Sequence, residues 1–221
     1  MNKINNIFFK KKILIYGLGK SGISTYNFLI QRAKIKLFDD NPQNNFRFDK
    51  KSLSFTKLLK CEFDFIIISP GIDFSKCKLS KYLKQNFSKV YTDLDVFYSF
   101  FGNDSVTITG TNGKSTTAKL LYDVLRDQKK DVRLVGNIGN PILSEKKIIK
   151  KTFFVIEASS YQLEYSKIFK SKYSVILNIT PDHIERHKNF KNYIDAKFRL
   201  LDSQTKLSVA FVKRNDPVII K

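Results

Sequence analysis

Between Val106 and Leu121 the chain reads VTITGTNGKSTTAKLL, a β-forming run that breaks on glycine and resumes as an amphipathic stretch. Gly110, Thr111, Asn112, Gly113, Lys114, Ser115 and Thr116 occupy the break. Glycines at such a point let backbone N–H groups curl around phosphate oxygens, and the start of the following helix adds a favourable dipole. A lysine placed like Lys114 reaches the β- and γ-phosphates, and a hydroxyl placed like Ser115 ligates Mg²⁺. The chemistry expected of this loop is ATP binding. The generic phosphate-loop pattern asks for one more glycine five residues before Gly113, where Ile108 stands, so the first position departs from it.

A second glycine-broken turn lies in KKILIYGLGKSGIS, Lys11 to Ser24, as Gly17-x-Gly19-x-x-Gly22. This is the spacing of a dinucleotide-binding turn. Any diphosphate suits a helix N-terminus, so the spacing does not choose between NAD and a UDP-sugar. It also allows a close helix–strand packing site without a ligand. Asp39, twenty residues past Gly19, would approach a ribose in an NAD enzyme.

Further oxygen donors lie where strands are expected to end. Glu157 closes the apolar run TFFVIEAS, as a metal ligand or as an ordinary strand-end carboxylate. NITPDHIERH brings Asn178, Asp182, His183 and His187 to the end of the next run. The two histidines are four apart, but a glutamate does not directly follow the first, so the metalloprotease pattern is not met. Lys197, taken alone, reads as a solvated residue on a helix face.

The elements that must position these groups alternate. KILIYG and KIKLFDD flank a helix from Ser21 to about Gln31, with Ile23, Tyr26 and Ile30 on one face. FDFIIISPG follows as a strand, then a polar stretch and KVYTDLDVF as another. SVTITG restarts the scheme, with a helix from about Lys114 to Asp127 carrying Ala118, Leu121 and Leu125 in register. DVRLVG, TFFVIEAS, YSVILNIT, a helix near Asn189 to Leu201 and LSVAFV complete it. Short apolar strands separated by helices predict an α/β fold with parallel sheets. The glycine and turn residues of FFGND set a boundary near Phe100 to Asp104, giving domains over 1–101 and 102–221.

Composition narrows the class. The chain has 221 residues and a formal charge of +20. Its basic residues are scattered rather than clustered among aromatics, so no nucleic-acid partner is expected. Runs such as Phe65 to Ile68 are far too short to cross a bilayer, which predicts no membrane insertion. The basic start resembles a secretion signal only faintly, lacks a cleavage site, and reads as the first strand. Cys61 and Cys77 lack metal-site spacing and read as reduced thiols of a cytoplasmic protein.

Taken together, TGTNGKST, LVGNIGNP, IEASSYQLE, NITPDHIERH and YIDAKFRL resemble the Mur ligases, the ATP-dependent amino-acid ligases of peptidoglycan synthesis. The resemblance runs through nearly the whole chain in order. It explains Ile108, because the Mur loop lacks the distant first glycine. It implies a Rossmann-like N-terminal domain that binds a UDP-sugar rather than NAD, followed by a phosphate-loop central domain. The run from Ser159 to Glu164, with GLGKSGIS and ISPGI, narrows the resemblance to the member that joins D-glutamate to UDP-N-acetylmuramoyl-L-alanine through an acyl phosphate.

The resemblance places Gly19, Lys20, Ser21 and the Ser69, Pro70, Gly71, Ile72 turn near the diphosphate, and Asp39 or Asp40 near the uracil. It places Asn137 and Ser159 toward the sugar substrate. Ser115 and Glu157 would hold one Mg²⁺, and His183 would help hold a second. Lys197, fourteen residues after His183, matches a lysine that CO₂ carbamylates into an anionic metal ligand. Such chemistry needs a neutral amine, which burial favours. Lys114, His183 and Lys197 would serve the reaction. Pro181 departs from the family, which often has an acidic residue there. The family's third domain and its later adenine contacts have no counterpart here, so the reading expects a truncated, monomeric chain that binds UDP-substrate weakly and turns over little.

Overall fold

The computed structural model describes residues 6–48, 50–202 and 204–219. The chain divides into two compact units, Met1–Phe100 with Ile142–Ser144, and Phe101–Pro141 with Glu145–Lys221.

The first unit runs β1 (Lys12–Tyr16), α1 (Lys20–Leu29), β2 (Lys34–Phe38), α2 (Pro42–Phe46), α3 (Phe55–Leu59), β3 (Phe65–Ile68), α4 (Ser80–Gln85), β4 (Val90–Tyr91) and α5 (Asp93–Phe100). Its strands form a parallel sheet in the order β2-β1-β3-β4. Ile13, Leu14, Ile15, Ile66 and Ile67 are buried because helices cover both faces of such a sheet. The order reverses between β1 and β3, so the loops that follow these two strands open side by side.

The second unit runs β5 (Ser105–Thr109), α6 (Lys114–Asp127), β6 (Val132–Gly136), β7 (Phe153–Glu157), α7 (Ser160–Leu163), β8 (Tyr173–Ile176), α8 (Ile184–His187), α9 (Phe190–Asp202) and β9 (Val209–Val212). Its parallel sheet has the order β6-β7-β5-β8-β9. Val106, Ile108, Ala118, Val132 and Val155 form the core beneath α6. The loop after β5 is flanked by those after β7 and β8.

Parallel sheets with crossover helices match the sequence expectation. KVYTDLDVF does not. Only Val90 and Tyr91 are strand, and the chain turns helical at Asp93. The reason is local. Asp95 accepts hydrogen bonds from the Thr92 backbone N–H at 2.9 Å and the Thr92 hydroxyl at 3.1 Å, and this reach-back starts a helix. The stretches read simply as polar also hold short capped helices. Asn41 accepts from Gln43 N–H ahead of α2, and Ser54 accepts from Lys57 N–H ahead of α3. Among the described residues no helix is long and apolar enough to cross a membrane.

Asp93 is buried on α5, and burial pushes its carboxyl up to about 6 despite hydrogen bonds from Leu94 N–H and the Ser21 side chain. The folded value lies above the unfolded 3.8. The ionised form therefore weakens the fold above about pH 6, by at most about 3 kcal/mol, and the penalty fades as pH falls toward 4. Asp93→Asn is expected to raise the melting temperature by several degrees at pH 8 and by much less at pH 4, read by calorimetry. An equal change at both pH values would overturn the assignment.

Candidate active site

The loop after β5 is shaped by two glycines. Gly110 and Gly113 have φ of 153° and 82°, where a side chain would be strained. A Cβ on Gly110 would also press on Leu177 at 3.1 Å. Asn178, just past β8, clamps the loop from the side. Its carbonyl accepts from Thr111 N–H at 2.9 Å, its side-chain oxygen from Asn112 N–H at 2.9 Å, and its amide donates to Asn112 O at 3.1 Å. Thr180 N–H donates to the Thr111 hydroxyl at 3.0 Å, and Tyr193 OH lies 3.0 Å from the same oxygen. The loop's conformation is fixed by its neighbours.

Two ammonium groups converge on this loop. Lys114 Nζ donates to Thr111 O at 2.8 Å, and Lys197 Nζ donates to Gly110 O at 2.7 Å. The expectation of a solvated Lys197 is overturned, since only 1% of its surface is exposed. It comes from α9, one turn after Tyr193, whose ring centroid is 4.6 Å from the ammonium. Burial, and then the Lys114 charge, push Lys197 down to about 7, with Asp182 opposing. An amine with that value is half neutral near pH 7. Lys114 beside the loop, with Lys197 charged in about half of the molecules near pH 7, suits an anion.

Glu157 ends β7, in register with Ile108 of β5 and Gly136 of β6. It is fully buried rather than solvated. Its Oε1 accepts from the Asn137 amide at 2.9 Å, and its backbone carbonyl accepts from Asn137 N–H at 2.8 Å. Gly136 permits this approach, because a Cβ there would sit 2.2 Å from Glu157 O. Glu157 Oε2 has no hydrogen-bond partner. A buried carboxylate oxygen left unpaired is costly, and a cation satisfies it. Ser115, exposed on the first turn of α6, offers the hydroxyl the sequence suggested. The donor set therefore fits a hard divalent cation shared with phosphate oxygens. Among the described residues no three His, Cys, Asp or Glu side chains gather as a metal cluster, so such a cation would depend on the nucleotide for most of its ligands.

The histidines separate. His183 sits in left-handed backbone at φ 52°, with 45% of its side chain exposed and its Nε2 3.5 Å from Asp182. His187 is buried, and its Nε2 lies 3.0 Å from Ser160 Oγ. Burial lowers its basicity, and Glu164 opposes this. His187 thus packs under α7, whereas His183 is partly exposed beside the Tyr161 ring, with centroids 4.9 Å apart. Ser159 caps α7 in a reciprocal pair with Gln162. Tyr193 was missed at the sequence level. Its spacing of four from Lys197 on an amphipathic helix was the available signal.

In the first unit, Ser69 Oγ donates to Gly17 O at 2.7 Å, which joins the loops after β1 and β3. Gly19, Lys20 and Gly71 are exposed, and Ser21 and Pro70 half-buried, around this junction. The carboxylates beyond β2 are occupied as braces. Asp39 accepts from Leu18 N–H at 2.5 Å and Asn41 N–H at 2.8 Å. Asp40 accepts from Tyr16 OH at 2.7 Å and Lys78 N–H at 3.2 Å.

Comparison with known proteins agrees with this arrangement. Residues 108–221 match the Mur ligase middle domain, and residues 11–90 match the N-terminal domain of the Mur ligase MurD-like type. The UDP-N-acetylmuramoylalanine--D-glutamate ligase of Rickettsia bellii is 36% identical over 92% of this chain and 46% of its own length. The protein of that name from Caldicellulosiruptor bescii is 36% identical over 87% of this chain and 45% of its own. The chain therefore spans about half the length of these curated relatives. The solved UDP-N-acetylmuramate:L-alanyl-gamma-D-glutamyl-meso-diaminopimelate ligase from Neisseria meningitides shares the fold, with a TM-score of 0.58 at 13% identity over 95% of this chain and 73% of that one. A braced glycine loop flanked by two lysines, in a chain that matches the Mur ligase middle domain across more than half its length, places this chain in the Mur ligase family.

Proposed function

We propose that this chain supplies the substrate-holding half of a cytoplasmic ligase that joins D-glutamate to UDP-N-acetylmuramoyl-L-alanine at the expense of ATP. Residues 1–101 bind the UDP-sugar and residues 102–221 bind ATP, the protein acting as a monomer. The reading rests on the pairing of Lys114 and Lys197 at a loop whose neighbour Glu157 keeps one buried oxygen free, together with the names its relatives carry.

In this reaction the substrate carboxylate attacks the γ-phosphorus, ADP leaves, and an acyl phosphate forms. The D-glutamate amine then attacks the acyl carbon, phosphate leaves with its electron pair, and the amine sheds a proton. Lys114 neutralises the β- and γ-phosphates, and the backbone amides of Gly113 and Lys114 at the start of α6 cradle them, those of Thr111 and Asn112 being taken by Asn178. Ser115 and Glu157 would hold one Mg²⁺, and His183 with the carbamate of Lys197 would hold a second; bound there, the ions would supply charge neutralisation along the phosphates. Asn137 fixes the Glu157 carboxylate through its amide and would contact the sugar substrate near its reacting end. Gly19, Lys20, Ser21, Ser69, Pro70 and Gly71 receive the UDP diphosphate at the start of α1, with Asp39 and Asp40 bracing its uridine end. Lys197, half neutral near pH 7, takes up CO₂ as a carbamate. Its nitrogen lone pair bonds the carbon, and the nitrogen loses a proton.

Isothermal titration tests this. ADP with Mg²⁺ and UDP-N-acetylmuramoyl-L-alanine are each expected to give heat, and NAD⁺ none. Lys114→Met should weaken ADP binding at least tenfold and leave the UDP-sugar unaffected. Heat from NAD⁺ with none from the UDP-sugar would overturn the proposal in favour of a dehydrogenase.

A further inference from the structure

Basic residues that are scattered in the sequence meet at one edge of the first unit. Lys10 N–H donates to Arg32 O at 2.7 Å, and Lys34 N–H donates to Lys11 O at 2.8 Å. Lys12 and Lys34 then open β1 and β2 in register, so their side chains leave the same face of the sheet. Lys10, Lys11, Lys12 and Lys34 are exposed and Arg32 is half-buried. Among the described residues none of these five cations forms a salt bridge. Glu62 and Asp64 precede β3 nearby, and Asp64 is occupied in accepting from the Lys12 backbone N–H at 2.8 Å. Two exposed apolar side chains adjoin the cations in the chain, Phe9 at 50% and Ile30 at 39%. The Lys10 ammonium lies 5.5 Å from the Phe9 ring centroid.

This edge costs folding free energy in two ways. Lys10 holds left-handed backbone at φ 60°, where a lysine is strained. Lys12 and Lys34 repel each other across adjacent strands. A facing array of negative charge offsets the second cost. The glycine turn follows the opposite end of β1, so none of the groups proposed to touch nucleotide or sugar lies at this edge. Cations around an exposed ring and an aliphatic side chain suit a lipid surface, where ammonium groups meet phosphate and apolar groups enter between headgroups. Nucleic acid would instead ask for a row of exposed rings on which bases stack. We infer that the amino-terminal edge of β1 and β2 is a peripheral docking surface for an anionic membrane, with Phe9 and Ile30 seated among the headgroups. Contact is confined to the headgroup layer, with no segment crossing the bilayer.

The test is sedimentation of the chain with vesicles of phosphatidylcholine and phosphatidylglycerol mixed two to one, against vesicles of phosphatidylcholine alone. Binding to the anionic vesicles is expected, falling as salt is raised, with none to the neutral ones. Lys10→Gln, Lys11→Gln and Lys34→Gln together should weaken it at least tenfold, since each cation near an anionic surface is worth about fivefold in affinity. Lys129→Gln, Lys130→Gln and Lys151→Gln remove the same charge from exposed positions of the other unit and should change it by less than about threefold. Equal losses from the two triple variants would overturn the inference, leaving only the net charge of +20 at work. The chain contains no tryptophan, so Phe9→Trp adds a single reporter that needs no charge removed. Its emission should shift to the blue on anionic vesicles, whereas Phe46→Trp, at a 75% exposed position on α2, should stay unshifted. An unshifted Phe9→Trp, or equal shifts at both positions, would overturn the inference. So would tighter binding to a single-stranded oligonucleotide than to the vesicles, which would assign the edge to nucleic acid. ADP and UDP-sugar titrations report on other groups, so this surface and the proposed function can fail independently.

Discussion

Lys197→Met is expected to make the protein more stable at pH 6 and to confer progressively less advantage as pH rises toward 10. The buried ammonium is the cause. In the folded chain Lys197 titrates at about 7, against 10.5 when unfolded. Below about pH 7 the native state must hold a charge it disfavours, and the full penalty is present. Between pH 7 and 10.5 the unfolded chain binds the extra proton, so native stability climbs with pH and the penalty fades. At about 1.4 kcal/mol per pH unit the penalty reaches about 5 kcal/mol as an upper bound. Methionine forfeits the hydrogen bond to Gly110 O, which returns about 1–2 kcal/mol to the other side. The net gain at pH 6 is at most about 3 kcal/mol, which corresponds to a melting temperature higher by up to roughly 6–12 °C for a chain of this size. Calorimetry in CO₂-free buffer at pH 6, 8 and 10 reads the trend. A difference that does not change with pH, or a variant that melts lower at pH 6, would remove the buried amine from the account. With ¹³C-labelled bicarbonate, the parent at pH 8 should show a carbamate carbonyl resonance that Lys197→Met lacks. This separates the proposed modification from a merely structural lysine.

That a penalty of this size sits in the fold bears on what a sequence can reveal. The strand–turn–helix around Gly113 was legible because glycine, lysine and hydroxyl spacing is a local code, and the structure has that turn between β5 and α6. The parallel sheets were legible from apolar runs such as FIII, which must be covered on both faces. Burial of Lys197 and Glu157 was not legible. Both are charged residues beside apolar ones, and their fate depends on which loops meet at the sheet's carboxyl edge, a long-range property. The helix at Asp93 was hidden for a different reason. KVYTDLDVF alternates apolar and polar residues as a strand does, but one carboxylate, Asp95, reaching back to Thr92 decides the local conformation. Asp39 and Asp40 show the limit of spacing rules. Their positions suit a ribose or a uracil, yet their oxygens already accept hydrogen bonds from the chain itself.

The same ambiguity attaches to the first glycine turn, and two single-methyl substitutions resolve it. Gly22→Ala is expected to unfold or severely destabilise the first unit. Its Cβ would fall 1.8 Å from Gly17 O and 2.8 Å from Ser69 Oγ, and the first of these is backbone that α1 cannot clear without leaving the sheet. The cost should exceed the usual overpacking range of about 1–3 kcal/mol. Gly19→Ala meets nothing within 4 Å, and Gly19 already has an ordinary φ of −73°. Its effect on stability should stay near 0.5 kcal/mol, typical of an open surface position. Binding is where it should matter. If the diphosphate lies on the N-terminus of α1, a methyl at Gly19 stands between ligand oxygens and the backbone N–H groups, and UDP-N-acetylmuramoyl-L-alanine should bind at least tenfold more weakly. Thermal melts and titration of the two variants give the answer together. A Gly19→Ala protein that keeps the parent affinity within twofold would mean the glycines serve helix–strand packing alone. A Gly22→Ala protein as stable as the parent would mean α1 is not seated against β1 as closely as these distances require.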